Sequence, residues 1–254
     1  MVQSFEPYLT AVLAERFPQL LPEVLAKDQR RGWLLLADAG RAVRELGNRP
    51  EIWLDVLPLY AELQRRETES AGAHLAADVP DLRVEQLPQR FGELMSEDMP
   101  IDNAQRDLIR RLEARFVQWC AELSTRGVAA TVQHEDLHYN NLFVRDGRPR
   151  ILDWGDAVIS HPFASLLVTF WFLEAANGLA PTDPWFGRLR DAYLEPWGPG
   201  HVDTFHLASR VGTVAHAIAW IRQRNSLPTD WRPRFDTEYR RVLNHVCRLA
   251  IGPA

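Results

Sequence analysis

Apolar positions near the start of the chain recur at helical spacing. Phe5, Leu9, Val12, Leu13 and Phe17 share one face and predict a short amphipathic helix from Ser4 to Phe17. Pro18 and Pro22 end it. Two short apolar runs follow, Val24–Ala26 and Trp33–Leu36, on either side of the polar segment KDQRRG, and read as an antiparallel strand pair. Ala37-Asp38-Ala39-Gly40 leaves the second strand as an exposed link. From Glu51 onward the pattern is mainly helical. Ile52, Val56, Tyr60 and Leu63 line one face, and Leu108, Leu112, Phe116, Trp119 and Leu123 mark one long helix with a wide apolar stripe. Residues 71–100, rich in Pro, Asp and Ala, read as loop with short helices. Further helices are expected around 163–176, 184–194, 203–223 and 235–250. No internal repeat is visible.

Composition adds bounds to this pattern. The chain has 254 residues, 46% apolar and 25% charged, with a net charge of −5. It can bury a substantial core as one large or two small domains. An acidic balance argues against a general nucleic-acid or membrane-surface partner. Two cysteines, Cys120 and Cys247, cannot build a disulfide framework. The amino-terminal segment has no basic region ahead of an apolar run, and the apolar run Phe163–Leu173 is too short to span a bilayer. The expectation is a soluble, cytoplasmic protein whose oligomeric state the sequence does not reveal. Lys27 is the only lysine; every other basic side chain apart from histidine is arginine.

Chemistry concentrates in residues 131–156, TVQHEDLHYNNLFVRDGRPRILDWGD. Asp146-Gly147 between two apolar runs signals a two-residue hairpin, because both turn positions need positive φ. With those two residues at the turn, Arg145 pairs with Arg148, Phe143 with Arg150 and Asn141 with Leu152. Asn141 and Asp153 then arrive together at the open end, and Asp136 lies on the loop leading in. Hard oxygen ligands of this kind suit Mg²⁺, which keeps several waters and takes one or two protein carboxylates plus substrate phosphates. A carboxylate that is not a ligand can accept a proton from a hydroxyl. Together they fit phosphoryl transfer. Taken singly, Asp136, Asn141 and Asp153 are ordinary turn and cap residues; the three with the hairpin are not.

His134-x-Asp136-Leu137-x-x-x-Asn141 matches the kinase catalytic-loop pattern, and Asp153-Trp154-Gly155 stands where a metal-binding Asp-Phe-Gly does. With His138, the DWGD segment and SHPF at 160–163, the chain resembles aminoglycoside phosphotransferase and choline-kinase-like enzymes. The segment PEVLAKDQRRGWLLLADAG is similar to the strand, turn, strand and hinge of that family. The resemblance implies an α+β, protein kinase-like fold: a remnant amino-terminal lobe over residues 1–40 and a mostly helical catalytic lobe over 41–254 with the hairpin set into it. It implies Asp136 as catalytic base, His134 as the brace of its loop, Asn141 and Asp153 as holders of Mg²⁺, and Leu36, Ala37 and Asp38 as the backbone that meets the adenine of ATP. The acceptor would be a hydroxyl of a small molecule. Two departures stand out. Glu135 replaces the glycine usual between the histidine and the aspartate, and His161-Pro162 and Ser165-Leu166 replace the family's later Asp-Pro and Asp-Leu.

A kinase-like amino-terminal lobe also carries a glycine-rich turn, then a strand lysine, then a helix glutamate. The first glycine here is Gly32, and Lys27 follows the first helix. Glu6 suits the helix glutamate, and nothing before it supplies its partner. The reading favours a missing upstream segment, and expects weak Mg·ATP binding and slow transfer from these residues alone. Two alternatives stay open: a pseudokinase-like binding module, and a metal-dependent hydrolase using His134 and His138 with Asp153 or His161.

Overall fold

The computed structural model describes residues 3–252 and is α+β, dominated by helices. Helix α1 (Glu6–Arg16) leads to an antiparallel pair, β1 (Val24–Asp28) and β2 (Trp33–Leu36), in which Leu36 faces Val24 and Trp33 faces Asp28. Phe5, Leu9, Leu13 and Phe17 are buried as their spacing predicts. Helix α2 (Pro50–Glu67) starts on a proline, whose missing N–H costs nothing in a first turn. It buries Trp53, Val56, Leu57, Tyr60 and Gln64 along one face. Short helices α3 (Ala71–Ala76) and α4 (Leu87–Ser96) follow.

The single long helix expected around Leu108–Leu123 is two. Helix α5 (Asn103–Arg111), opened by a capping box between Asp102 and Gln105, gives way at Leu112 to α6 (Glu113–Ser124). There the Leu112 N–H bonds to the Ile109 C=O at 2.9 Å, a tightened turn. The apolar spacing runs through the break, so the pattern could not reveal it.

Strand β3 (Arg41–Ala42) pairs with β5 (Leu142–Arg145) of the hairpin, which β6 (Arg148–Ile151) completes. Strand β4 (Thr131–Gln133) pairs with β7 (Val158–Ser160), so residues 134–157 leave and re-enter one two-stranded ribbon. Helices α7 (Leu167–Asn177), α8 (Pro184–Leu194), α9 (Val202–Ser226) and α10 (Arg232–Ile251) close the molecule. Helix α9 is buried along most of its length. Gly212 lets it approach residue 164: a Cβ there would lie 2.5 Å from the Ala164 Cβ. Among the described residues no helix is long and apolar enough to cross a membrane.

Candidate active site

The hairpin forms in the expected register. Arg145 faces Arg148 and Phe143 faces Arg150, and the Leu152 N–H donates to the Asn141 C=O at 2.9 Å. Asp146 and Gly147 have φ of +51° and +71°, the two positive values a type I′ turn needs. Asn141 and the segment beginning at Asp153 therefore share one end of the hairpin.

Asn141 is tied to Asp136. Its Nδ2 donates to the Asp136 C=O at 2.9 Å and to Oδ2 at 3.0 Å, which leaves Asn141 Oδ1 as an open acceptor. His138 Nε2 lies 3.3 Å from the same Asp136 oxygen. Burial raises the proton affinity of Asp136, but the hydrogen bond from His138 and the electrostatic effect of the surrounding imidazoles outweigh it. The carboxyl is held below the usual carboxylate range. Asp136 is thus ionised at neutral pH and lines a cavity of about 730 Å³, as a base for a hydroxyl must be.

His134 is fully buried. Its Nδ1 accepts the Asp136 N–H at 3.3 Å and its Nε2 donates to the Leu152 C=O at 2.8 Å. These bonds assign the proton to Nε2. Burial foremost pushes its pKa down, so the ring is neutral. It joins the loop carrying Asp136 to the strand end that precedes Asp153, and packs 4.8 Å from the buried Trp154 ring. With both ring nitrogens committed, His134 cannot ligate zinc. Among the described residues no three His, Cys, Asp or Glu side chains are grouped to hold a metal ion. The hydrolase alternative fails on that geometry.

Two side chains of α2 brace this loop, and the sequence reading treated neither as polar machinery. Tyr60 Oη accepts the His134 N–H at 2.9 Å. Gln64 Nε2 donates to the Val132 C=O at 2.9 Å and to Ser165 Oγ at 2.8 Å. The one available signal was Gln64 itself, a polar residue one helical turn after Tyr60 on an otherwise apolar face. Ser165, at one departure from the family pattern, joins the brace by accepting from Gln64 and Tyr60, whereas His161, at the other, caps its own turn. His161 Nδ1 accepts the Phe163 N–H at 3.2 Å.

Asp153 has φ +64° and an exposed carboxylate that accepts no hydrogen bond among the described residues. Acids crowd around it. Asp156 Oδ1 accepts from Gln3 Nε2 at 2.8 Å and from Gln223 Nε2 at 2.7 Å. Glu6 packs on Gly155, where a Cβ would sit 3.3 Å from Glu6 Oε2. Burial, then the charges of Asp153 and Asp156, push Glu6 up to about 7. Burial, then Asp136, Asp153 and Glu135, push Asp156 up to about 6 against the lowering effect of Gln3. Among the described residues neither these two acids nor Asp153 forms an ion pair with Lys or Arg. A free carboxylate at Asp153, an open amide oxygen at Asn141 and uncompensated negative charge fit a hydrated divalent cation of the Mg²⁺ class.

At the link after β2, the Ala37 N–H donates to the Glu23 C=O at 2.9 Å. In an extended chain the C=O of one residue and the N–H two residues later face the same side. The Leu36 C=O and the Asp38 N–H therefore face away from β1. Arg145 Nη1 donates to the Asp38 C=O at 2.5 Å and ties this link to the hairpin tip. Asp183, Asp191, Glu174 and Glu195, all on or beside α7 and α8, stay outside the cavity wall.

Residues 5–206 match the family described as "Phosphotransferase enzyme family" (APH). The chain belongs to that family. The fold of this phosphotransferase-family chain is that of small-molecule kinases. It resembles a choline/ethanolamine kinase family protein from Mesorhizobium loti at TM-score 0.61 and 16% identity, covering 94% of this chain and 76% of that one. It resembles Plasmodium vivax ethanolamine kinase at TM-score 0.63 and 12% identity, covering 96% and 72%. It also resembles APH(2")-IIia, solved with GDP and kanamycin, at TM-score 0.61 and 15% identity, covering 97% and 84%. A search of curated proteins by sequence finds no match.

Proposed function

We propose that this phosphotransferase-family chain transfers the γ-phosphoryl group of Mg·ATP to a hydroxyl of a small molecule held in the cavity beside Asp136. One observation carries the reading: Asn141 is bonded to Asp136 through Nδ2 while the hairpin register brings it to the same end as Asp153. In this reading Asp136 takes the proton from the acceptor hydroxyl, whose oxygen forms the new bond to the γ-phosphorus as the bond to the ADP oxygen breaks. Asn141 Oδ1 and Asp153 hold Mg²⁺, which supplies charge neutralisation on the phosphates. His134 keeps the loop and the Asp153 segment in fixed relation. The Leu36 C=O and Asp38 N–H meet the adenine edge. Residues 1–40 form the smaller lobe and 41–254 the catalytic lobe, and the protein works in the cytoplasm. Relatives named for choline, ethanolamine or an aminoglycoside complex support a small acceptor.

The test pairs binding with turnover. Mg·ATP should raise the melting temperature, and ADP release should appear with an acceptor panel. Asp136→Asn should remove the release while the nucleotide shift persists. Release unchanged by Asp136→Asn would sink the proposal.

A further inference from the structure

The cavity beside Asp136 has aromatic walls from α7, α9 and α10, including Trp171, Phe172, Trp220 and Phe235. Two consecutive carboxylates, Glu135 and Asp136, line it. Neighbouring side chains on an extended strand point to opposite sides. Here they share a cavity because Glu135 adopts φ +69°, a conformation that disfavours glutamate and that tends to persist where a site needs it. The Glu135 side chain is 6% exposed. Gln133 Nε2 donates to its Oε2 at 2.6 Å. Its Oε1 receives no hydrogen bond from any described residue. His216 Nδ1, itself buried and without a hydrogen-bond partner, lies 3.4 Å away and out of line. A carboxylate kept for stability is bonded at both oxygens or paired with a cation. At Glu135 only Oε2 is hydrogen-bonded, and Oε1 faces the His216 imidazole at 3.4 Å without a hydrogen bond. No Lys or Arg pairs with it among the described residues, and it adds negative charge beside Asp136 and Asp156.

We infer that Glu135 binds the acceptor: its Oε1 takes a hydrogen bond from a second donor, hydroxyl or ammonium, adjacent to the hydroxyl that Asp136 deprotonates. The acceptor's apolar body lies along the aromatic walls, and His216 is a positioning residue that holds the Glu135 carboxylate toward the cavity. The proposal rests on the phosphotransferase reading for the fate of that hydroxyl, while recognition is a binding event that needs no transfer.

The experiment measures binding calorimetrically for three probes with one apolar body: 2-phenylethanol, 1-phenyl-1,2-ethanediol and 2-amino-1-phenylethanol. The native chain should bind at least one donor-bearing probe tenfold or more tightly than the mono-alcohol. Glu135→Gly, which suits φ +69°, should abolish that preference without lowering the melting temperature. Glu135→Gln keeps an acceptor oxygen, so a diol preference should survive it and an ammonium preference should not. His216→Ala should weaken the donor-bearing probe and leave the mono-alcohol unchanged. Equal binding of all three probes, no binding of any, or a preference that survives Glu135→Gly overturns the proposal. A large fall in melting temperature in Glu135→Gly, the mark of a structural role, also overturns it. Asp136→Asn should keep the probe preference while losing transfer, so the two readings fail separately.

Discussion

Asp156→Asn removes one charge from the crowded acid cluster and keeps an oxygen for Gln3 and Gln223. Asp156 is pushed up to about 6, chiefly by burial, from an ordinary value near 3.8. At about 1.4 kcal/mol per tenfold change in proton affinity, ionising it costs the fold about 2–3 kcal/mol, the lower figure allowing for solvent at the cavity mouth. The raised carboxyl contributes stability that is fully present below pH about 4 and lost as pH rises through about 6. The variant never suffers that loss. Its melting temperature should match the native chain near pH 4 and exceed it by about 4–12 °C above pH 7, at about 2–4 °C per kcal/mol for a domain of this size.

The difference between the two proteins is the readout, because other groups titrate in the same range with the opposite sign. His161, pushed down to about 3, and His245, pushed down to about 4, are kept neutral chiefly by burial, as are His134 and His206. Each gains stability as pH rises toward its ordinary value. Thermal melts by circular dichroism in EDTA from pH 4 to 8 isolate the Asp156 contribution. A difference that stays flat with pH, or a variant that melts below the native chain at pH 7.5, refutes the account of the cluster.

Three further outcomes follow from the same geometry. Millimolar Mg²⁺ should raise the native melting temperature more at pH 7.5 than at pH 5, because Glu6 and Asp156 are protonated at the lower value; equal shifts at both would contradict the proposed cation site. Gly40→Ala should lower stability by about 2–4 kcal/mol in urea titrations, since a Cβ there would meet the Val144 C=O at 2.2 Å and Gly40 has φ +88°. Tyr60→Phe should cost about 1–3 kcal/mol by leaving the buried His134 N–H unpaired, and a neutral result in the same titration would remove Tyr60 from the brace.

Much of the site was legible because its geometry is local. Asp146-Gly147 between apolar runs sets a turn, the turn sets the register, and the register puts Asn141 opposite Leu152 and next to Asp153. Helices α2, α9 and α10 were legible for a similar reason: their apolar faces repeat over several turns. Strands β3, β4 and β7 were not, because two or three residues carry no measurable period. The break at Leu112 was hidden by apolar spacing that continues across it.

The remaining features depend on partners far along the chain, and there the residue types mislead. Nothing around Gln64 announced its role, because its partners, Val132 and Ser165, lie on other elements. Glu135 stood out only as a bulky, charged replacement for the family's glycine beside the base. Positive φ is enriched in Asn, Asp and Gly rather than Glu, so nothing local announced that its carboxylate would turn into the same cavity as Asp136. The acid cluster draws on Glu6, Asp153 and Asp156, with Gln3 and Gln223 from the two ends of the chain. Apolar burial explains why α1 and α9 pack where they do, but it does not require Glu6 against Gly155 or two amides on one carboxylate oxygen. These contacts lower stability at neutral pH unless a cation is present. A site that the fold opposes in its empty state, and that a divalent ion would relieve, is better explained by what it binds than by what it holds together.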